Sequence, residues 1–140
     1  MGSVVATVEE LQELAQGSLP DLLGLQITAS ERGRVSARLI VRSDLLAPNG
    51  YLHAATIIAL ADTACGLGCR SQLPEGSSGF TTIELKTNFL GTARDGTIST
   101  DANSVHVGRT TQVWDAVVRH QDSGKTLALF RCTQAVLWPR

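Results

Sequence analysis

The sequence predicts an α+β protein in which an antiparallel sheet wraps around one long helix. Residues 53–70 are rich in alanine, leucine and isoleucine and nearly free of polar side chains, which is typical of a helix buried on most sides. Long stretches of alternating character follow it, separated by short glycine-containing breaks, as in antiparallel sheets. A single buried helix needs a surface that surrounds it, and a strongly curved antiparallel sheet supplies one.

The first 24 residues predict a helical segment ahead of the sheet. Thr7 is followed three residues later by Glu10, a capping-box pattern that predicts a short helix. We expect Gly17, Ser18 and Pro20 to end this helix.

Six further stretches have the composition and alternation of strands: residues 25–29, 34–41, 80–89, 97–107, 109–120 and 126–137. Hairpin-like connections are expected between the later ones. Within the third stretch, alternation predicts that four polar side chains share one face: Thr82, Glu84, Lys86 and Asn88.

Composition narrows the class of protein. A chain of 140 residues fits one domain over residues 1–140, and a net charge of −1 without a basic stripe argues against nucleic acid as a partner. The longest apolar run, residues 54–61, is too short to span a membrane. An odd count of cysteines without a secretory signal predicts reduced thiols and a cytoplasmic location. Cys65 and Cys69 have no evident third or fourth ligand, so no metal and no cofactor is expected.

Asp62 is the residue that does not fit an apolar helix. Its helical neighbours three and four positions away are Ile58, Ala59, Cys65 and Gly66, and none of them can pair with a carboxylate. A buried, unpaired carboxylate is costly, and it pairs or changes its pKa. Two interpretations stay open: an aspartate that accepts hydrogen bonds from a loop or another subunit, or a catalytic carboxylate.

The start of the same helix is a second candidate for chemistry. If the helix begins near His53, the amides of Ala54 and Ala55 are unpaired donors at its positive end. Such donors can polarise a carbonyl oxygen as an oxyanion hole does. The alternative is an ordinary helix start with a histidine near the cap.

The spacing of these two features predicts more than one subunit. His53 and Asp62 are nine residues apart, which in a helix means roughly 13 Å along the axis and opposite faces. One reacting carbonyl cannot contact both within one chain. If both act on it, the second must come from another subunit, so a dimer is the minimum.

Residues 49–64 resemble the signature of the hotdog-fold acyl-CoA thioesterases. The stretch reads Asn49-Gly50-Tyr51-Leu52-His53-Ala54-Ala55-Thr56-Ile57-Ile58-Ala59-Leu60-Ala61-Asp62-Thr63-Ala64. It is similar to the branch of the phenylacetate-degradation thioesterases and the Arthrobacter-type 4-hydroxybenzoyl-CoA thioesterase, in which an acidic residue follows nine positions after a His-Gly-Gly. The resemblance extends to the strands, including residues 81–89 and 105–111.

This resemblance implies a fold, a reaction and a set of roles. It implies a hotdog fold, a homo-oligomer that is a dimer at minimum and a tetramer by analogy, and hydrolysis of an acyl-CoA substrate. Asp62 would be the nucleophile or general base, the partner subunit's Ala54 amide would bind the thioester oxygen, and His53 would shape the helix start. Further residues would contact the substrate or its CoA part: Thr63, Asn88, Arg109 and Thr111.

Two departures from the family pattern affect carbonyl activation. The sequence has His53-Ala54-Ala55 in place of His-Gly-Gly, and a backbone donor survives that change where φ is negative, as at a helix start. Many members have Asn or Gln six residues before the His, where this chain has Ala47. Either Asn49 replaces that polar group from the same loop, or the contact is missing.

Two alternative functions stay open at this point. A hotdog hydratase or dehydratase also combines a histidine with a carboxylate and would act on hydroxyacyl or enoyl thioesters. A non-catalytic acyl-CoA binder could use the same fold, since fold does not dictate function. Asp62 argues against the binder, because an apolar helix has no structural need for it.

Overall fold

A computed structural model describes residues 5–140, and it consists of one sheet with a long helix packed against it. In chain order the elements are α1 (Val8–Leu14), α2 (Leu19–Leu23), β1 (Gln26–Glu31), β2 (Arg34–Ile40), α3 (Ala54–Arg70), β3 (Gly79–Phe89), β4 (Thr97–Val107), β5 (Thr111–His120) and β6 (Thr126–Leu137). A short 3-10 turn at Ser43–Leu45 lies between β2 and α3. The predicted α+β class is confirmed.

The six strands form an antiparallel sheet in the order β1-β2-β4-β5-β6-β3. The predicted turns after β1, β4 and β5 do join neighbouring strands. The expectation of a hairpin between β3 and β4 is wrong, because β3 pairs with β6 at one edge while β4 pairs with β2 and β5. This arrangement makes β3 an edge strand, and most of its side chains are exposed.

The N-terminal segment is ordered by local hydrogen bonds. The predicted capping box is present, since Thr7 Oγ1 accepts from Glu10 N at 3.1 Å and the Glu10 carboxylate accepts from Thr7 N at 3.4 Å. Pro20 does not end a helix as expected but lies in the first turn of α2, where its missing N–H costs nothing. Of the predicted segment over residues 1–24, the first four residues lie outside the described part of the chain.

α3 is buried on the side that faces the sheet and half-buried on most of the rest of its surface. Its buried side includes Ile57, Leu60, Ala61, Ala64 and Cys65, which pack against the inner faces of the central strands. The other side is half-buried rather than open, and its residues are Ile58, Ala59, Asp62, Thr63, Gly66 and Leu67. The predicted helix buried on most sides is thus found, with only Ala54, Ala55 and Arg70 of α3 exposed.

Gly68 sets how closely α3 approaches the sheet. A Cβ at this position would lie 2.5 Å from Cζ3 of Trp114, a fully buried side chain of β5. Trp114 cannot easily move aside, because its Nε1 donates to Gln112 Oε1 at 2.8 Å and Gln112 Nε2 donates to the Gln72 carbonyl at 3.0 Å. The helix and β5 are thus in contact through a glycine and an immobilised indole.

A β-bulge in β3 changes which side chains share a face. The register with β6 shifts between Thr82 and Glu84, so Thr82 pairs with the buried Gln134 and donates to its Oε1 at 2.7 Å. Thr82 therefore lies on the helix side, and the predicted shared face with Glu84 is wrong at that residue. A bulge adds one unpaired residue, which simple alternation does not count.

No helix in residues 5–140 is long and apolar enough to cross a membrane.

We predict that Gly68→Ala lowers the free energy of unfolding by about 1–3 kcal/mol, because its methyl group would overlap the immobilised Trp114 ring. Gly66→Ala is the matched control. A Cβ there meets Phe80 at 3.4 Å, an ordinary contact, and the gain in helix propensity is shared by both variants. Urea unfolding at one protein concentration measures the difference, and equal midpoints for the two variants would contradict the prediction.

Candidate active site

The start of α3 is held in place by the loop before it. His53 N donates to the Leu45 carbonyl at 3.1 Å, and Thr56 Oγ1 donates to the same carbonyl at 3.0 Å. A bridge between Leu46 and Leu52 closes this loop into a narrow antiparallel turn. The first helical turn is therefore fixed by both backbone and side-chain contacts.

His53 is the N-cap of α3. Its backbone is extended (φ −67°, ψ 136°), and its Nδ1 accepts a hydrogen bond from Ala55 N at 2.9 Å. An accepting ring nitrogen carries no proton, so this bond requires that Nδ1 be the unprotonated nitrogen of the ring. The expectation that both the Ala54 and the Ala55 amides are unpaired is therefore wrong for Ala55.

The Ala54 amide keeps no acceptor among residues 5–140. It is the first residue of the helix, so it has no intrahelical partner, and the residue is exposed. The amide lies at the positive end of a helix of 17 residues, where partial positive charge favours an approaching oxygen that carries negative charge. This geometry allows a single backbone donor to act on a carbonyl.

A groove of about 470 Å³ opens beside this amide. The residues that line it come from the loop, the helix start and the end of β3: Ala47, Asn49, Tyr51, Leu52, His53, Ala54, Ile57, Phe89, Gly91 and Thr92. Most of these side chains are apolar, with a few polar groups among them, as in sites for small organic ligands.

Asn49 presents a free amide group at this groove. Its Oδ1 accepts a hydrogen bond from Tyr51 N at 3.1 Å, which fixes the side-chain orientation. The Asn49 side-chain nitrogen has no acceptor within the described chain, so two N–H donors stay available. Ala47 also lines the groove but offers no polar side-chain atom.

Asp62 lies in the middle of α3, half-buried, and its Oδ1 has no hydrogen-bond partner among the described residues. Desolvation by burial raises the pKa of its carboxyl group above the ordinary value of 3.8. Within one chain, therefore, nothing that the structure describes stabilises the ionised form. This is the environment predicted from its apolar helical neighbours.

Asp62 and the helix start do not meet within one chain. Asp62 does not line the groove, and its Cα is separated from that of Ala54 by roughly 12 Å along the helix axis. Asp62 lies one turn before Gly66, so the two residues share one side of the helix. A Cβ at Gly66 would contact Phe80 on β3 at 3.4 Å. The carboxylate therefore lies on the side of α3 that faces the exposed edge strand.

The other predicted contact residues are dispersed. Thr63 is half-buried beside Asp62. Arg109 lines a second groove past the C-terminus of α3, where its guanidinium stacks on Trp138 at 4.2 Å, and Thr111 begins the adjacent strand. Asn88 lines a third groove on the outer face of the sheet. One chain thus brings Asn49, His53 and Ala54 together, and leaves Thr63, Asn88, Arg109 and Thr111 apart from them.

The cysteines are placed for packing rather than for nucleophilic attack. All three are fully buried. A hydrogen bond with Cys132 and burial raise the pKa of Cys65, and burial raises the pKa of Cys69 to about 12. Among residues 5–140, no three His, Cys, Asp or Glu side chains are grouped so that they could hold a metal ion.

One cationic group near the site was not found from the sequence. The guanidinium of Arg94 lies over the ring of Tyr51, with Cζ 4.2 Å from the ring centroid. The two residues are 43 positions apart, so no local pattern links them. A backbone hydrogen bond from Leu52 N to the Ala93 carbonyl at 2.9 Å joins the two segments.

We predict that His53→Ala destabilises the fold by about 1 kcal/mol, because the Ala55 amide loses its cap acceptor. His53→Asn is the control, since its side-chain oxygen can accept the same bond and should recover most of the loss. Urea unfolding of the three proteins tests this. A His53→Asn variant no more stable than His53→Ala would show that the cap bond is not what His53 contributes.

Comparison with known proteins identifies the family. Residues 49–127 match the sequence model of the thioesterase superfamily. The chain is 30% identical over 118 residues to the 1,4-dihydroxy-2-naphthoyl-CoA hydrolase of Listeria monocytogenes, covering 84% of this chain and 94% of that protein. It is 29% identical to the thioesterase PA1618 of Pseudomonas aeruginosa, whose variant structure superposes with a TM-score of 0.90 and covers 97% of both chains.

Two variant structures of the protein SAV0944 from Staphylococcus aureus are also similar. Each is 30% identical, with TM-scores of 0.80 and 0.81, and they cover 84% and 85% of this chain and 97% and 98% of theirs. In one a glutamate is replaced by alanine, and in the other a glutamine 15 positions earlier is replaced by alanine. These similarities confirm the predicted hotdog fold and an enzyme that hydrolyses thioesters. The chain belongs to the thioesterase superfamily.

Proposed function

We propose that this protein hydrolyses an acyl-CoA thioester to the free acid and CoA, and that Asp62 and the Ala54 amide carry the reaction. The observation on which this depends is the unpaired Ala54 amide at the positive end of α3, which opens on an apolar groove. The same helix carries a carboxylate that has no other evident task. A thioester is an activated acyl group, so polarisation of its carbonyl together with a carboxylate is sufficient machinery.

In the proposed reaction the thioester oxygen accepts a hydrogen bond from Ala54 N. The ionised Asp62 then either attacks the carbonyl carbon or removes a proton from the attacking water. In the first route the Asp62 carboxylate displaces the CoA thiolate to give a mixed anhydride, which water then hydrolyses to the free acid and ionised Asp62. In the second route water itself displaces the thiolate. In both routes the bond between carbonyl carbon and sulfur breaks, and the thiolate takes up a proton. Both routes need ionised Asp62, and neither needs a metal or a cofactor.

We propose that each site is built from two subunits, with the helix start from one and Asp62 from the other. Support comes from their separation on one helix and from the position of Asp62 on the side facing β3. β3 is an edge strand with unpaired backbone groups and exposed apolar side chains, including Ile83 (61% exposed) and Leu85 (40%). A dimer is then the minimum, and the family resemblance favours a tetramer.

Asn49 is proposed to supply the second donor to the carbonyl. Its free side-chain amide and the Ala54 amide belong to the same groove. Ala47 lies 15 residues before Asp62, which equals the spacing between the glutamine and the glutamate substituted in the Staphylococcus aureus protein. By this spacing, the chain carries alanine where that relative has glutamine, and Asn49 takes over its role from two positions further along the loop.

The remaining assignments follow from the resemblance to the phenylacetate-degradation and Arthrobacter-type branch. Thr63 would contact the substrate beside Asp62, and Arg109 and Thr111 would contact the CoA nucleotide. Arginine suits phosphate oxygens, and its stacking on Trp138 holds Arg109 at the rim of its groove. Asn88 would have to reach the substrate of another subunit, since it lies on the outer face of the sheet. We also propose that the protein is located in the cytoplasm.

We predict that Asp62→Asn lowers kcat/KM for acyl-CoA hydrolysis by a factor of about 10² or more, the range for loss of a general base. The activity of the wild type should fall on its acid side at a pH above 3.8, because burial raises the pKa of Asp62. Release of free CoA from a panel of aryl- and alkyl-CoA thioesters measures both. Hydration of enoyl thioesters without hydrolysis would favour the hydratase instead.

The same substitution should stabilise the protein at neutral pH. Well below pH 3.8 the folded and unfolded states both hold the proton, so Asp62 contributes nothing. As the pH rises, the unfolded state releases its proton first, and the free energy of unfolding falls until the pH passes the raised pKa. Urea midpoints for wild type and Asp62→Asn should therefore separate with rising pH. A wild type that is the more stable at pH 7 would mean that a partner pairs the carboxylate.

Ala54→Pro tests the backbone donor and the shared site together. Proline has no N–H, and it fits the first helical position after the extended His53, so the fold should tolerate it. We predict that kcat falls strongly for Ala54→Pro and little for Ala54→Gly, which keeps the donor. Co-refolding Ala54→Pro with Asp62→Asn should then restore about a quarter of wild-type activity, because half of randomly formed dimers hold one intact site of two. No recovery in verified heterodimers would exclude a site shared in this way.

A further inference from the structure

We infer that Arg94 is a specificity residue that binds an anionic group of the thioester substrate at the rim of the groove beside Ala54. The inference rests on the proposed function, because it concerns the same groove and the same substrate. It goes further in naming a group, a carboxylate or phosphate oxyanion, that the substrate should carry.

Arg94 is positioned by a backbone contact of the residue before it and by its own side chain. Residues 91 and 92 line the groove, and the Ala93 carbonyl accepts the hydrogen bond from Leu52 N. Arg94 therefore belongs to a segment that is hydrogen-bonded to the loop before α3. Its guanidinium carbon lies over the ring of Tyr51, a residue of the groove wall, at 4.2 Å from the ring centroid. A cation–π contact of this kind uses none of the guanidinium N–H groups as hydrogen-bond donors, so they stay available to a ligand.

No acidic group neutralises Arg94 within the described chain. The ion pairs of residues 5–140 do not include it, and neither do their side-chain hydrogen bonds. The next residue, Asp95, makes no ion pair with it, and Asp44 in the neighbouring loop pairs with Arg42 at 2.7 Å. Other arginines of the sheet, such as Arg131, do have carboxylate partners. Arg94 is thus held in place by an aromatic ring while its donors are unused.

The groove itself favours an anion at this rim. Its lining contains no carboxylate, and the positive end of α3 opens into it. A guanidinium added to that end increases the local positive potential, which attracts an oxyanion and orients it by paired hydrogen bonds. A substrate bound with its carbonyl at Ala54 would then be oriented by two contacts, one at the reacting oxygen and one at Arg94.

An anion of this kind has two sources in an acyl-CoA thioester: the phosphates of CoA and a carboxylate on the acyl group. Three thioesters separate them. Benzoyl-CoA has phosphates only, 4-carboxybenzoyl-N-acetylcysteamine has the acyl carboxylate only, and benzoyl-N-acetylcysteamine has neither. Hydrolysis of each is measured for wild type, Arg94→Gln and the control Arg140→Gln. The control removes the same charge at a site outside the groove.

For Arg94→Gln we expect KM to rise about tenfold on an anion-bearing thioester with little change in kcat, the effect of losing one exposed charged hydrogen bond. A rise with benzoyl-CoA assigns Arg94 to a phosphate, and a rise with the carboxybenzoyl compound assigns it to the acyl group. The rise should shrink at high salt, where exposed charges are screened. KM for the neutral thioester, and every KM of Arg140→Gln, should stay at the wild-type value.

Two results would overturn the inference while leaving the proposed function intact. One is an equal loss on all three thioesters, which means a structural role for the stack on Tyr51. The other is no change on either anionic thioester. If wild type hydrolyses none of them, calorimetric binding of free CoA and of the carboxybenzoyl compound decides instead. Weaker binding by Arg94→Gln supports the inference, and equal binding of both compounds refutes it.

Discussion

The close contact between α3 and β5 at Gly68 determines how the rest of the molecule is arranged. Because no Cβ intervenes, the helix backbone rests on the Trp114 ring, and the hydrogen bonds from Trp114 through Gln112 to the end of the helix fix its rotation as well as its depth. That rotation directs the alanine and leucine side into the sheet. It also leaves Asp62 on the side toward the edge strand, where Oδ1 has no partner.

The same rigidity makes the helix start a preorganised donor. His53 N and Thr56 Oγ1 both donate to the Leu45 carbonyl, and these bonds fix the first turn of α3. The Ala54 amide therefore does not have to reorient when a substrate carbonyl binds. The cap bond from Ala55 to His53 leaves a single free donor in place of two. Carbonyl activation then depends on one backbone amide and on one further donor from a side chain. Asn49 is the proposed second donor, and its hydrogen bond with Tyr51 N orients it.

Asp62 affects both the free energy of unfolding and the proposed reaction. A carboxylate that burial has made harder to ionise is a cost to the isolated chain, and the same environment makes it a stronger base once it is ionised. Association through the β3 edge would place new groups beside it, so stability, assembly and activity are expected to change together when this one residue is altered. This coupling is why substitutions at Asp62 and at Ala54 are informative in pairs.

The sequence by itself determined the elements, the apolar side of α3 and the isolation of Asp62, because alternation, capping and helical neighbours are local properties. It also indicated that the helix start and Asp62 are too far apart to share a carbonyl within one chain. Only the tertiary structure decided the strand order, which puts β3 at an edge, and the bulge that turns Thr82 inward. It alone decided that His53 occupies the Ala55 amide and that Arg94 stacks on Tyr51. Those outcomes depend on groups brought together by strand pairing and loop closure across long separations, which no local pattern of residues encodes.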